Sequence, residues 1–176
     1  MSPADSSVAA VDLVSSWDAI AIGFARTQRR LLASIEAVGL AGPSFEALRL
    51  LLHSEGHRMP MSRLARDLTM TAGGLTKLAD RLARDGLIDR RNSSDDRRVV
   101  YAALTTKGAE LAMRTLDIYR AGLREHVLSI LSDDQLLALA DTMQALGDAH
   151  SDVPVDEEVL TARDPAAPDR RRRGRE

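Results

Sequence analysis

The sequence predicts a mainly α-helical domain with one small β-hairpin, and three observations predict it. Aromatic residues fill only 3% of the 176 positions although 44% are hydrophobic. A core must therefore be built from Leu, Ala, Val, Ile and Met, which suit long helices better than sandwiches or barrels. Apolar residues recur at steps of three, four and seven over successive stretches, and only across residues 87–104 does the pattern turn extended.

The first helix is expected over residues 11–38, where Leu13, Trp17, Ile20, Phe24, Leu31, Ile35 and Val38 form one stripe. Gly39, Gly42 and Pro43 end it. Ser44 then offers an N-cap hydroxyl for a second helix that carries Phe45, Leu48, Leu51 and Leu52 and stops near Gly56. Pro60 and Ser62 open a short third helix with Leu64, Ala65 and Leu68 inward. After a tight turn at Thr69, Met70 and Thr71, a fourth helix runs over residues 72–85 with Leu75, Leu78, Ala79 and Leu82 on one face. Thr76, Lys77, Asp80, Arg81 and Arg84 lie on the other face, and Gly86 suits the left-handed residue that closes a helix.

Residues 87–91 and 99–104 read as the two strands of a hairpin with a polar tip. Thr105 or Thr106 caps a fifth helix through Ala112, Leu116, Tyr119, Leu123, Val127 and Ile130. Ser132 caps a sixth with Leu136, Leu139, Ala140, Met143 and Leu146. Beyond residue 150, three prolines, an acidic cluster and the arginine run 170–173 leave little to bury. The expected organisation is a flexible N-terminus (1–10), a single domain (11–149) and a disordered tail (150–176).

Composition excludes several functions. The absence of cysteine removes thiolate metal sites, cysteine nucleophiles and thiol-based sensing. No glycine-rich phosphate loop, histidine–carboxylate pair or paired-acid spacing is visible, so an enzyme is not expected and no cofactor is implied. No secretory leader and no apolar run near the roughly 20 residues of a membrane span are present, which predicts a soluble cytoplasmic protein without a membrane partner. Net charge is −2, yet the segment from Arg58 to Lys107 holds eleven basic residues against six acidic ones, a local excess of five. Such a concentration matters more than the sum when the partner is a polyanion.

A short helix, a tight turn, a helix with a polar outward face and a basic-tipped hairpin together describe a winged helix-turn-helix. Such a helix fits the major groove of duplex DNA and shows its N-terminal half to base edges. Thr71 caps it, and Gly73 and Gly74 leave its first turn bare, so that backbone amides can meet a phosphate. Thr76 and Lys77 follow on the exposed face, able to touch a thymine methyl or donate to guanine. Arg97 and Arg98 at the wing tip suit the minor groove, whose negative potential attracts arginine.

Residues 61–111 resemble the MarR family of bacterial regulators: Leu64-Ala65, Thr71 through Arg81-Leu82, Gly86-Leu87-Ile88-Asp89-Arg90, Asp96-Arg97-Arg98 and Leu104-Thr105-Thr106-Lys107-Gly108 stand in that family's order and spacing. The resemblance implies a homodimer joined through the helices of residues 11–43 and 106–149, carrying two DNA-binding lobes (44–105) over a palindromic duplex site. The implied DNA-facing set is Ser62, Thr71, Gly73, Gly74, Thr76, Lys77, Arg81, Asp96, Arg97 and Arg98, with Arg98 in the minor groove and Asp96 orienting the wing. It also implies repression relieved by a small, often phenolic, effector, for which Trp17, His53, Met59 and Met70 are candidate ligand residues. The pair of glycines in the fourth helix departs from many relatives.

Plainer readings stand beside these. Arg81 and Arg84 can serve as salt-bridge partners of Asp80, Asp85 or Asp89. Trp17 can be a buried interface residue and the methionines core filling. His53 and His57 are four apart, but no third metal ligand is evident and no metal is expected. The tail arginines can either strengthen DNA association or merely solubilise. A winged helix that binds protein rather than DNA is the rival function, against which the polar face at Thr76 and Lys77 argues.

Overall fold

The structure is a computed structural model in which residues 12–92 and 98–150 are described. The expectations for the N-terminus, for Asp96 and Arg97, and for the tail from 151 onward lie outside those residues. Its elements run α1 (Leu13–Glu36), α2 (Gly42–His53), β1 (Arg58–Pro60), α3 (Met61–Asp67), α4 (Ala72–Arg84), β2 (Ile88–Asn92), β3 (Val100–Leu104), α5 (Thr106–His126) and α6 (Asp133–Ala149). The mainly helical class and the hairpin are as the sequence predicts.

Most helix ends are set by local chemistry. Asp12 caps α1, accepting from the Ser15 amide at 3.2 Å and the Ser15 hydroxyl at 2.6 Å, and these bonds hold its carboxyl below the usual carboxylate value. Ser132 and Gln135 close a reciprocal capping box at α6. The expected cap at Ser44 is a correction. Helix α2 begins three residues earlier, behind Ala41, because Pro43 has the φ for a first turn and lacks an amide that would otherwise go unpaired. Ser44 is instead buried inside that turn.

The strand β1 was not foreseen. Three residues are too few to show a period, and Pro60 is tolerated because β1 lies at the edge of the sheet. The sheet order is β1-β3-β2, antiparallel throughout, with Met59 opposite Ala102 and Ile88 opposite Leu104. Helix α5 also stops sooner than its stripe suggests: it ends at His126, and residues 127–130 turn toward Ser132.

The core joins α2, α3, α4 and the sheet to the near ends of α1 and α5. Ile35, Phe45, Leu48, Leu51, Leu64, Leu75, Leu82, Ile88, Ala102 and Ala112 are all buried in it. Tyr119 packs against Phe45 with ring centroids 5.0 Å apart and donates to Gln28 Oε1 at 3.3 Å. Burial pushes its phenol pKa up, with Arg49 opposing that shift. The far parts of α1 and all of α6 bury little, and no residue of α6 is buried.

One joint fastens the lobe to α5. Gly86 takes φ +71° after α4, and the Leu87 amide donates to Leu82 O at 2.9 Å. Thr105 Oγ1 donates to Gly86 O at 2.7 Å and accepts from the Gly108 amide at 3.0 Å, while the Thr105 amide donates to Leu87 O at 3.1 Å. Lys107 Nζ reaches Asp85 O at 2.8 Å, a cation at the carbonyl end of α4. A Cβ at Gly108 would overlap the Leu87 carbonyl oxygen, which is main chain and has little room to yield. We expect Gly108→Ala to lower unfolding free energy by about 3 kcal/mol or more, read by urea denaturation. Gly73→Ala, where nothing stands within 4 Å of the new methyl, should leave stability equal or higher.

Candidate nucleic-acid interface

The geometry starts from the turn between α3 and α4. The Thr69 amide donates to Arg66 O at 2.9 Å and the Met70 amide to Ala65 O at 2.8 Å, so the chain reverses tightly, with Thr69 itself at φ +54°. Thr71 then caps α4, its hydroxyl accepting from the Gly74 amide at 3.1 Å. Leu75, Leu78, Ala79 and Leu82 bind the helix to the core, which forces the opposite face outward. Ala72, Gly73, Thr76, Lys77, Asp80, Arg81 and Arg84 are exposed along that face.

The two glycines differ in orientation. Gly73 is exposed in open space, whereas an added Cβ at Gly74 would stand 3.1 Å from Thr71 Oγ1 and 3.5 Å from Met70 Cε. The expectation that both amides are offered outward is therefore corrected for Gly74, whose N–H is spent on the cap. Thr76 turns its hydroxyl back onto Ala72 O at 2.9 Å. Lys77 makes no ion pair with any described residue.

Arg81 is exposed on the same face as Thr76 and Lys77 and has a partner within the fold. Its Nη2 donates to the buried Ser44 hydroxyl at 3.2 Å, bracing α4 against the first turn of α2. It is not the salt-bridge partner of Asp80, because Asp80 pairs with Arg90 of β2 and so ties α4 to the wing. Arg91 pairs with Asp89 at 2.7 Å within the same strand. Sequence spacing gave no sign of the Arg81–Ser44 bond, which joins residues 37 apart. Ser62 is exposed in the first turn of α3, and Arg98 is exposed two residues before β3.

The four candidate effector residues are not brought together. His53 and Met59 line a broad cleft of about 1180 Å³, together with Arg58, Arg63, Arg91 and Tyr101, and Arg58 stacks over Tyr101 at 5.4 Å. Met70 packs against the core beside α4, and Trp17 stands 55% exposed on α1. His53 and His57 each donate from Nδ1 to a main-chain carbonyl, of Arg49 and Leu52 respectively. Among the described residues no three metal-ligating side chains converge, and no helix is long and apolar enough to cross a membrane.

A short helix and tight turn holding an amphipathic helix, followed by a two-stranded wing whose β3 also pairs with β1, define a winged helix-turn-helix fold. The chain matches the family model of the MarR family over residues 40–100. It is 39% identical over 70 residues to the HTH-type transcriptional repressor YetL of Bacillus subtilis (strain 168), an alignment covering 40% of this chain and 42% of YetL. It thus spans less than half the length of that relative. Among solved structures it is similar to AbsC, a MarR family transcriptional regulator from Streptomyces coelicolor (TM-score 0.71, 26% identity, covering 77% of this chain and 91% of AbsC). It also shares its fold with Sco3205 of the same organism, solved in complex with DNA (TM-score 0.70, 23% identity, covering 76% and 85%).

Arg81→Ala should test the bracing role. It strands a buried hydroxyl, so thermal or urea unfolding should show a loss of roughly 1–2 kcal/mol, against a change within about 0.5 kcal/mol for Arg84→Ala, an exposed position on the same helix.

Proposed function

We propose that the protein is a transcription repressor that binds a palindromic duplex operator as a homodimer. The observation that carries the reading is α4: one face is locked into the core, and the other presents Gly73, Thr76 and Lys77, with the wing tied to it through Asp80 and Arg90. That face is polar and begins with the short side chains of Ala72, Gly73 and Thr76, which suits a helix entering a major groove, and a protein-docking face would be more apolar. Lys77 supplies a donor for guanine O6 and N7 or for a phosphate. Arg98 belongs to the wing that flanks the adjacent minor groove, and Ser62 and the Thr71-capped turn stand by the phosphate backbone.

The dimer is supported by what one chain leaves uncovered. Leu13, Val14, Trp17, Ile20, Ile22 and Phe24 on α1, and Leu137, Leu139 and Leu146 on α6, are exposed. So large an apolar surface is unusual for a monomer, and a 17-residue helix that buries nothing needs tertiary packing to persist. A second copy laid against α1 and α6 meets both needs. It also repeats α4 on a two-fold axis, which a palindrome matches. Release by a small aromatic effector completes the reading. Its support is the cleft beside His53 and Met59, where the Arg58–Tyr101 stack offers a cation and a ring.

Fluorescence anisotropy against duplexes from the protein's own upstream region and a scrambled control, over a salt series, tests this directly. Binding should favour the native duplex, fall steeply with salt, and weaken about tenfold or more in Lys77→Ala and in Arg98→Ala. Sedimentation equilibrium should show a dimer at micromolar concentration. Equal, mutation-insensitive affinity for both duplexes would overturn the reading in favour of a protein-binding module.

A further inference from the structure

We infer that Thr76 reads the C5-methyl group of a thymine, and that the bare turn at Ala72 and Gly73 is what lets so short a side chain reach it. The inference rests on the DNA-reading function proposed above and assigns that function a base. Its starting point is the hydroxyl. Thr76 is exposed in the N-terminal half of α4, the half that meets base edges in such helices. Its Oγ1–H is already donated to Ala72 O at 2.9 Å. That bond selects one staggered rotamer and leaves the γ-methyl and the two oxygen lone pairs as the groups available to a ligand. Donation to a base must first break the internal bond, whereas contact through the methyl does not.

The neighbours of Thr76 on the same face remove the competing chemistry. Four residues before it stands Ala72, with a single methyl, and three before it stands Gly73, around whose missing side chain there is nothing within 4 Å. Four residues after it, the Asp80 carboxylate is neutralised by Arg90. Among the described residues in the N-terminal half of α4, Lys77 alone supplies a strong donor. The helix can therefore lie close to the floor of the groove along the line from Gly73 to Thr76. Thymine is the only base that shows a methyl in the major groove, so an apolar contact there separates thymine from cytosine.

The test uses the full-length protein and a randomised duplex library from which a preferred sequence is selected. Each thymine of that duplex is then replaced in turn by deoxyuridine, which removes the C5-methyl alone, and affinities are measured for the wild type, Thr76→Val, Thr76→Ser and Gly73→Ala. One symmetry-related pair of thymines should be sensitive, at about fourfold per methyl. Thr76→Val should keep that sensitivity, and Thr76→Ser, which retains the hydroxyl and loses the methyl, should abolish it. Gly73→Ala should weaken the selected duplex severalfold while melting no lower than the wild type. Selective binding with no uridine-sensitive position linked to residue 76 overturns the inference and leaves the DNA-reading function standing. So does selectivity kept by Thr76→Ser and lost by Thr76→Val, which reassigns the contact to the oxygen lone pairs. Failure of the library to yield any preferred sequence overturns both together.

Discussion

The close approach of Gly108 to the Leu87 carbonyl is the constraint on which the rest of the structure depends. At this point the end of α4, the start of the wing and the first turn of α5 meet, and only a residue without a side chain fits. Thr105 bonds to both Gly86 and Leu87 while capping α5, and Lys107 donates to the carbonyl of Asp85, the C-cap of α4. Each bond is modest by itself, at about 1 kcal/mol. Placed together across an unyielding main-chain contact, they make the recognition helix, the wing and the root of α5 one body. Tilting α5 therefore tilts α4, and whatever fixes α5 fixes the position of the exposed face of α4.

The same geometry divides the molecule into a finished half and an unfinished one. The lobe closes its core around Phe45, Leu48, Leu64, Leu75 and Leu82, with Arg81 satisfying the buried Ser44 hydroxyl across two helices. The outer parts of α1 and α6 close nothing. Their apolar residues gain burial only from a further surface, which in the dimer we propose is a second copy that also duplicates α4. Stability, assembly and spacing of the reading heads are on this view one problem: the hydrophobic surface that completes the fold also sets the distance between the two recognition helices.

Much of this was legible in the sequence, and what was not has physical reasons. Thr71, Gly86, Thr105 and Ser132 could be read as helix boundaries because capping depends on residues within four positions of each other. The inward leucines of α4 could be read because a 3.6-residue period is a local property, and Thr76 and Lys77 then fall on the opposite face without further information. Ser44 misled because it follows a proline that already serves the first turn. The role of Arg81 depends on a partner 37 residues away, and β1 is too short to carry a period. Trp17, His53, Met59 and Met70 were grouped by family resemblance, and in a single chain only His53 and Met59 share a cleft.

The coupling of lobe to α5, and of both to the proposed dimer, can be measured on the intact protein because the chain has no cysteine to compete for a label. A nitroxide attached through Arg84→Cys, an exposed site at the end of α4, gives one label per recognition helix. Its label-to-label distance can be measured by double electron–electron resonance, with and without the selected duplex. A rigid joint in a two-fold dimer predicts a single narrow distribution on DNA, on the scale of one helical turn of the duplex, about 34 Å. Absence of any dipolar coupling would remove the dimer, and a broad distribution that persists on DNA would mean that the lobes swing freely from α5, contrary to the joint at Gly108.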